Sequence, residues 1–322
     1  MLHYASLTLG ECVITYFFLG VRGHSGFYVA AHMNSYLLAS RPKTLPAAIV
    51  PVGVGCALAY RLTGEWHGWL AFCTLMAAIW IQVATNFFND AIDSQKGADT
   101  DARLGPVRAT ASGQLSVKTV YIAALVCLLF AAAFGLPLCI ARGWPMIAIA
   151  VPSFYLTYGY TGGPLPLAYK GLGELFVILF FGLVAVMGTV FVQTGLWYVE
   201  ALVAGLGIGC LSAVLISINN LRDVDEDRSN AKNTLAVKWG RDAALNIVLV
   251  ISIVAYACAV CLFGAGLQLL YFLPALLLGA LIMASIYKHP PGKIYNKFLA
   301  MSALQLILYA LAFTVNCSAW IQ

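Results

Sequence analysis

The chain carries 322 residues, 61% of them hydrophobic and only 10% charged, with a formal net charge of +5 and a mean hydropathy of +0.87. Soluble domains carry roughly 25% charged residues, so this composition excludes a water-soluble globular domain. No nucleic-acid partner is expected; membrane lipid is.

In chain order, residues 1–39 read as a peripheral N-terminal extension. Its apolar stretch "VITYFFLGV" is too short to cross a bilayer, which takes about 20 residues of helix, and the segment from Gly23 to Gly26 breaks the run. A start of translation at Met33 is the alternative. Residues 40–322 read as one transmembrane domain. Nine apolar spans lie within it, at about 45–61, 69–90, 118–140, 144–160, 172–193, 197–219, 244–264, 267–287 and 298–318. They are too long for barrel strands and do not alternate in polarity, so the fold class is all-α, a polytopic membrane protein of nine transmembrane helices. Short links, Gly195 to Trp197 and Gly264 to Leu267, imply tight helical hairpins. Two links are long, Ala91 to Val117 and Asn220 to Asp242, and "TGGPLPLAYKG" from Thr161 to Gly171 is intermediate.

The nine cysteines lie mostly inside apolar runs, and Cys258 and Cys261 sit mid-span with no His or carboxylate nearby. They read as small apolar core residues rather than a redox or metal pair. The five histidines all fall outside the spans, which leaves zinc or haem ligation with little support.

Lys and Arg set the orientation. With the N-terminal side of the first span inside, fifteen of the eighteen basic residues fall on the cytoplasmic side, and only Arg61 and Arg142 fall opposite. Nine of the thirteen acidic residues lie in or beside the two long cytoplasmic links. Acidic residues contribute little to orientation, so that concentration needs its own cause.

Helical geometry supplies one. Asn86, Asp90 and Asp93 are spaced i, i+4, i+7; Asn219, Asp223 and Asp227 are spaced i, i+4, i+8. Each set lines one helix face where a span meets the cytoplasm. Ionisable groups there are costly, and the same face occurs twice. Oxygen ligands without His or Cys favour a hard cation such as Mg²⁺, which takes one or two carboxylates plus waters and substrate phosphates. Arg228 and Lys232 follow the second set; Lys96, Arg103 and Arg108 follow the first; Arg41 and Lys43 precede the first span. Carboxylates interleaved with Lys and Arg read as a metal–diphosphate site. The first set ends the second span and the second ends the sixth, which fits a ring of helices around a central cavity. For Asp99, Asp101, Asp225, Glu226 and Asp242, a solvated loop is an equal reading.

These residues resemble the UbiA superfamily of intramembrane aromatic prenyltransferases, whose two acidic motifs stand here as "NFFNDAID" and "NNLRDVDEDRSNAKNT". Within it, "SRPKTLPAAIVPV", "GPVRATASG" and "YTGGPLPLAYKGLGELFV" are most similar to the 1,4-dihydroxy-2-naphthoate polyprenyltransferases, with the phylloquinone-pathway enzymes as near neighbours. Two departures stand out. Gly97 occupies a position where the superfamily often has Asp, and Ala231 precedes Lys232 where Gly, suited to a left-handed turn, is usual.

The resemblance implies Mg²⁺-dependent transfer of a polyprenyl group from its diphosphate to the naphthoate, with loss of CO₂, giving demethylmenaquinol. The setting implied is a bacterial cytoplasmic (inner) membrane with the active site on its cytoplasmic side. Asp90 and Asp223 would be catalytic with Tyr160, and Tyr158 and Tyr160 would meet the aromatic substrate, where aromatic faces can stabilise an allylic cation. An interfacial tyrosine belt is the rival reading for Tyr155, Tyr158 and Tyr160. Alternatives are another acceptor, 4-hydroxybenzoate or homogentisate, a phytyl donor, or a cation-coupled transporter. The last predicts acids near mid-membrane on broken helices.

Overall fold

The computed structural model describes residues 35–97, 104–106 and 108–318, and within them every regular element is helical. The predicted spans appear as α1 (Pro46–Thr63), α2 (Gly68–Gln95), α3 (Val117–Arg142), α4 (Trp144–Gly159), α5 (Gly173–Thr194), α6 (Val199–Arg222), α7 (Leu235–Phe263), α8 (Leu267–Lys288) and α9 (Tyr295–Ser318). Among the described residues eight of these are long and apolar enough to cross a membrane. The remaining predicted span is α4, a helix of 16 residues, about 24 Å long at 1.5 Å per residue. The chain is an integral membrane protein. Its N-terminal segment up to residue 34 and the possible start at Met33 lie outside the described residues.

Local sequence explains the boundaries. Pro46 opens α1, where its missing N–H costs nothing. Ser116 caps α3 by accepting the Thr119 amide at 3.1 Å. Gly240, at φ 81, breaks α7 near its start. The residues before it therefore form a separate helical turn, and the apolar span begins just beyond, as the hydropathy implies. At the other ends, α2 runs five residues past its predicted limit and α6 three. Asn86, Asp90 and Asp93 therefore all stand on continuous helix.

α6 is the most buried span, with 72% of its apolar window inside the protein, whereas α3 has 22%. α6 is thus the central post and α3 a lipid-facing wall. Leu58 of α1, Ile208 and Leu211 of α6, and Tyr309 and Phe313 of α9 pack as one core. On the other flank Phe87 and Phe88 of α2 meet Val120 and Ala124 of α3. α5 crosses α6 at a backbone contact. A Cβ on Gly182 would stand 2.3 Å from the Gly205 carbonyl oxygen and 2.6 Å from Gly209 Cα, so only glycine permits this approach. Gly182 lies in a seven-residue π-helical stretch, Ile178–Val184. Such stretches often accompany functional sites, and this one borders the cavity.

Candidate active site

α1 to α6 and α9 enclose a cavity of about 1120 Å³. Its floor is apolar: Leu138, Met146, Ile149, Val184 and Ile307 line it. Its mouth holds both acidic sets. Asn86, Asp90, Asp93, Asn219, Asp223 and Asp227 all face the same space, with Arg41, Lys43, Arg108, Lys232 and Tyr160.

The α2 set is held by loops that fold back over it. Asn86 donates its Nδ2 to the Ser40 carbonyl at 2.8 Å and to Thr44 Oγ1 at 3.0 Å, which pins the chain entering α1. Asp93 accepts from Arg108 Nη2 at 2.9 Å and from the Tyr169 hydroxyl at 3.0 Å. Asp90, 1% exposed, accepts the Thr110 amide at 3.3 Å on Oδ2, while Arg108 Nη1 stands 3.9 Å from its Oδ1. Arg41 holds a left-handed conformation, φ 50, at the cavity edge.

The α6 set is ordered by a residue that the sequence reading counted only as a cytoplasmic charge. Arg222 clamps Asp223 with Nε to Oδ1 at 2.7 Å and Nη2 to Oδ2 at 2.6 Å. The same guanidinium reaches Asn219 Oδ1 at 2.9 Å and Asn296 Oδ1 on α9 at 2.7 Å. α6 ends at Arg222, Asp223 caps it, and the short helix Val224–Ser229 follows. The Asp227 amide still bonds the Asp223 carbonyl at 2.8 Å, so the i+4 relation survives the break.

Lys232 joins the two sets. Its Nζ lies 3.1 Å from Asp227 Oδ1, and it interacts electrostatically with Asp93 as well. Burial opposes its charge, but Asp227 and Asp93 outweigh that, and its pKa is raised. Burial pushes Asp227 up to about 6 against the pull of Lys232.

These residues suit a hard cation. Asp90 Oδ1 and Asp227 Oδ2 are buried with no hydrogen-bond partner, and an orphaned buried carboxylate oxygen asks for one. Among the described residues no group of three or more His, Cys, Asp or Glu side chains is placed to hold a metal ion; Mg²⁺ characteristically takes one or two carboxylates with waters and substrate phosphates.

Two predicted site residues are not brought here. Arg228 is exposed and pairs with Asp225 at 3.5 Å; one position beyond Asp227 on a helix, it points about 100° away. Tyr158 packs edge-on against Phe88, ring centroids 5.7 Å apart, and does not line the cavity. Tyr160 does, tilted against Phe176 at 6.2 Å. Lys96 serves the loop, donating to the Thr161 carbonyl at 2.8 Å and lying 3.9 Å above the Tyr169 ring. Arg103, Asp99 and Asp101 lie outside the described residues. Besides Arg222, the sequence reading missed Asn296, Tyr169 and the pair Glu174–Asn220. Arg222 had a legible signal: it stands i+3 from Asn219, on the same face.

The model of the UbiA prenyltransferase family matches residues 48–315. The chain belongs to that family. It is 35% identical to the 1,4-dihydroxy-2-naphthoate octaprenyltransferase of Haemophilus influenzae over 62% of this chain and 68% of that one. The fold matches a solved UbiA homologue from Aeropyrum pernix with TM-score 0.65, at 16% identity, over 84% of this chain and 97% of the other. It also matches the Archaeoglobus fulgidus homologue solved with DMAPP and Mg²⁺, with TM-score 0.57 at 16% identity, over 87% and 99% of the two chains.

Proposed function

We propose that this UbiA-family chain transfers a polyprenyl group from its diphosphate to 1,4-dihydroxy-2-naphthoate, releasing diphosphate and CO₂ to give demethylmenaquinol. The observation that carries this is the convergence of two carboxylate-bearing helix ends on the mouth of one cavity with an apolar floor. The kind of relative to which the chain is similar supports the choice of acceptor. A transporter would place its acids at mid-membrane on broken helices, whereas Asp90, Asp93 and Asp223 stand at helix ends beside Arg and Lys.

In this reading Asp90, Asp93, Asp223 and Asp227, with the amide oxygens of Asn86 and Asn219, would hold Mg²⁺, which would supply positive charge to offset that of the diphosphate leaving group. Arg41, Lys43 and Lys232 grip the diphosphate oxygens. The prenyl tail lies along the apolar floor, which also keeps water from the allylic cation. Tyr160 and Phe176 present ring faces to that cation. By the distribution of Lys and Arg the mouth opens on the cytoplasmic side of a bacterial cytoplasmic membrane.

The test is direct. Purified protein in detergent is given Mg²⁺, polyprenyl diphosphates of several lengths, and a panel of aromatic acids. Prenylated naphthoate, lost on chelation of the cation, is expected. Absence of product from every acceptor contradicts the proposal.

A further inference from the structure

Glu174 opens α5 and is 5% exposed. Asn220 of α6 donates Nδ2 to its Oε1 at 2.9 Å. Because an amide N–H₂ can only donate, this bond fixes which oxygen is engaged and leaves Oε2 over. Oε2 is buried and has no hydrogen-bond partner, although the side chain lines the cavity. A buried carboxylate oxygen without a donor is costly, and no role in cation or diphosphate binding falls to this residue. Lys232 is near enough to interact with it electrostatically.

Its surroundings fit a flat ring. A Cβ on the preceding Gly173 would stand 3.0 Å from the Tyr160 hydroxyl and 3.4 Å from Ile216 Cδ1, so Tyr160 and Ile216 border the start of α5. Phe176, near Glu174 on the same helix, stacks with Phe180 at 4.4 Å. Aromatic and apolar side chains thus border the place, and it holds an unmet acceptor. It suits an aromatic ring that carries a hydroxyl donor. A carboxylate would be repelled from it and turned toward the cations at the mouth.

Resting on the proposed prenyl transfer, we infer that Glu174 Oε2 receives the acceptor's hydroxyl hydrogen beside the carboxyl-bearing carbon and acts as the proton acceptor of the reaction. The O–H bond breaks and the proton goes to Oε2. The O–H electron pair forms a ring C=O, and a ring π pair bonds the allylic carbon. The allylic C–O pair leaves with diphosphate. Loss of CO₂ then releases the electron pair that restores the aromatic ring, and the phenolic oxygen takes the proton back from Glu174. No proton is gained or lost overall, and no further reactant is needed.

The experiment pairs Glu174→Gln with acceptor analogues. Gln keeps the volume and the bond from Asn220 but cannot take a proton. Glu174→Gln should lower kcat by about 100-fold or more with the donor KM unchanged, and Glu174→Asp should recover part of the loss. Inhibition constants of naphthoates with and without the adjacent hydroxyl should differ about tenfold or more in the wild type and converge in the Gln variant. A kcat for Glu174→Gln near the wild-type value overturns the inference while leaving the proposed function standing. So does a wild type indifferent to that hydroxyl, a measurement that needs no variant to fold. A wild type that prenylates no acceptor fails at the earlier step, the proposed function itself.

Discussion

The guanidinium of Arg222 grips the carboxylate of its own neighbour, Asp223, through two parallel bonds of 2.7 and 2.6 Å. Adjacent residues on a helix point about 100° apart. The clamp forms because α6 ends at this pair and Asp223 takes up φ −96, ψ 12. The pair is buried and anchored to α9 through Asn296. The fork geometry is specific to Arg. Arg222→Lys is expected to keep the fold and cut kcat by about 10- to 100-fold. Arg222→Ala leaves Asp223 buried and uncompensated and should cost about 3–5 kcal/mol. Initial rates and thermal unfolding in detergent check both.

Ala231 sits at φ 53, in the left-handed region where a Cβ costs roughly 1–2 kcal/mol. The turn positions Lys232, whose amide bonds the Asp227 carbonyl at 2.8 Å. Ala231→Gly should therefore retain activity and raise stability by about 0.5–1 kcal/mol once the extra chain entropy is counted. A thermal shift measurement shows this; a lower melting point would contradict it.

Gly182→Ala forces two backbones apart where Gly182 meets Gly205 and Gly209. Neither partner is a side chain that can rotate away. A loss of about 1–3 kcal/mol is expected, with reduced turnover because the same helix carries Glu174 and Phe176 into the cavity. Unfolding and rate measurements on one preparation test both parts.

The Tyr169 hydroxyl bonds Asp93 at 3.0 Å, and the Tyr169 carbonyl accepts the Asn233 amide at 3.3 Å. This residue ties the loop after α4 to the first acidic set and to the segment that follows the second. Tyr169→Phe removes the bond to Asp93 and leaves the ring under Lys96. It should cost about 0.5–1.5 kcal/mol of stability and lower the affinity for the diphosphate donor with little change in fold. Thermal unfolding and donor titration measure the two effects.

The helices and both carboxylate faces were legible because apolar length and i, i+4 spacing survive in sequence without any knowledge of packing. Asn86, Asp90 and Asp93 followed α2 faithfully, since that helix continues past its apolar part. Arg228 did not follow, because extrapolating a face gives no sign of the residue beside it; Asp227 faces inward, so its neighbour faces water. Tyr158 and Tyr160 differ for the same reason, being about 200° apart on a helix. Glu174 could not be picked out. Nothing local distinguishes a carboxylate at a span's start from a solvated one, and its meaning comes from Asn220, 46 residues away. Arg222 shares the Asn219 face at i+3, but its partner on α9, Asn296, lies 74 residues away in sequence.

The central claim is that the ends of α2 and α6 grip a single diphosphate between them. A double-mutant cycle on donor binding tests it most directly, titrating a polyprenyl diphosphate with Mg²⁺ into wild type, Asp90→Ala, Asp227→Ala and the double variant by calorimetry. Either single change should weaken binding by about 100-fold, and the double variant should lose little more than either one, because the two sites act as one unit. Losses that simply add, or an Asp90→Ala protein that binds the donor as wild type does, would contradict the account.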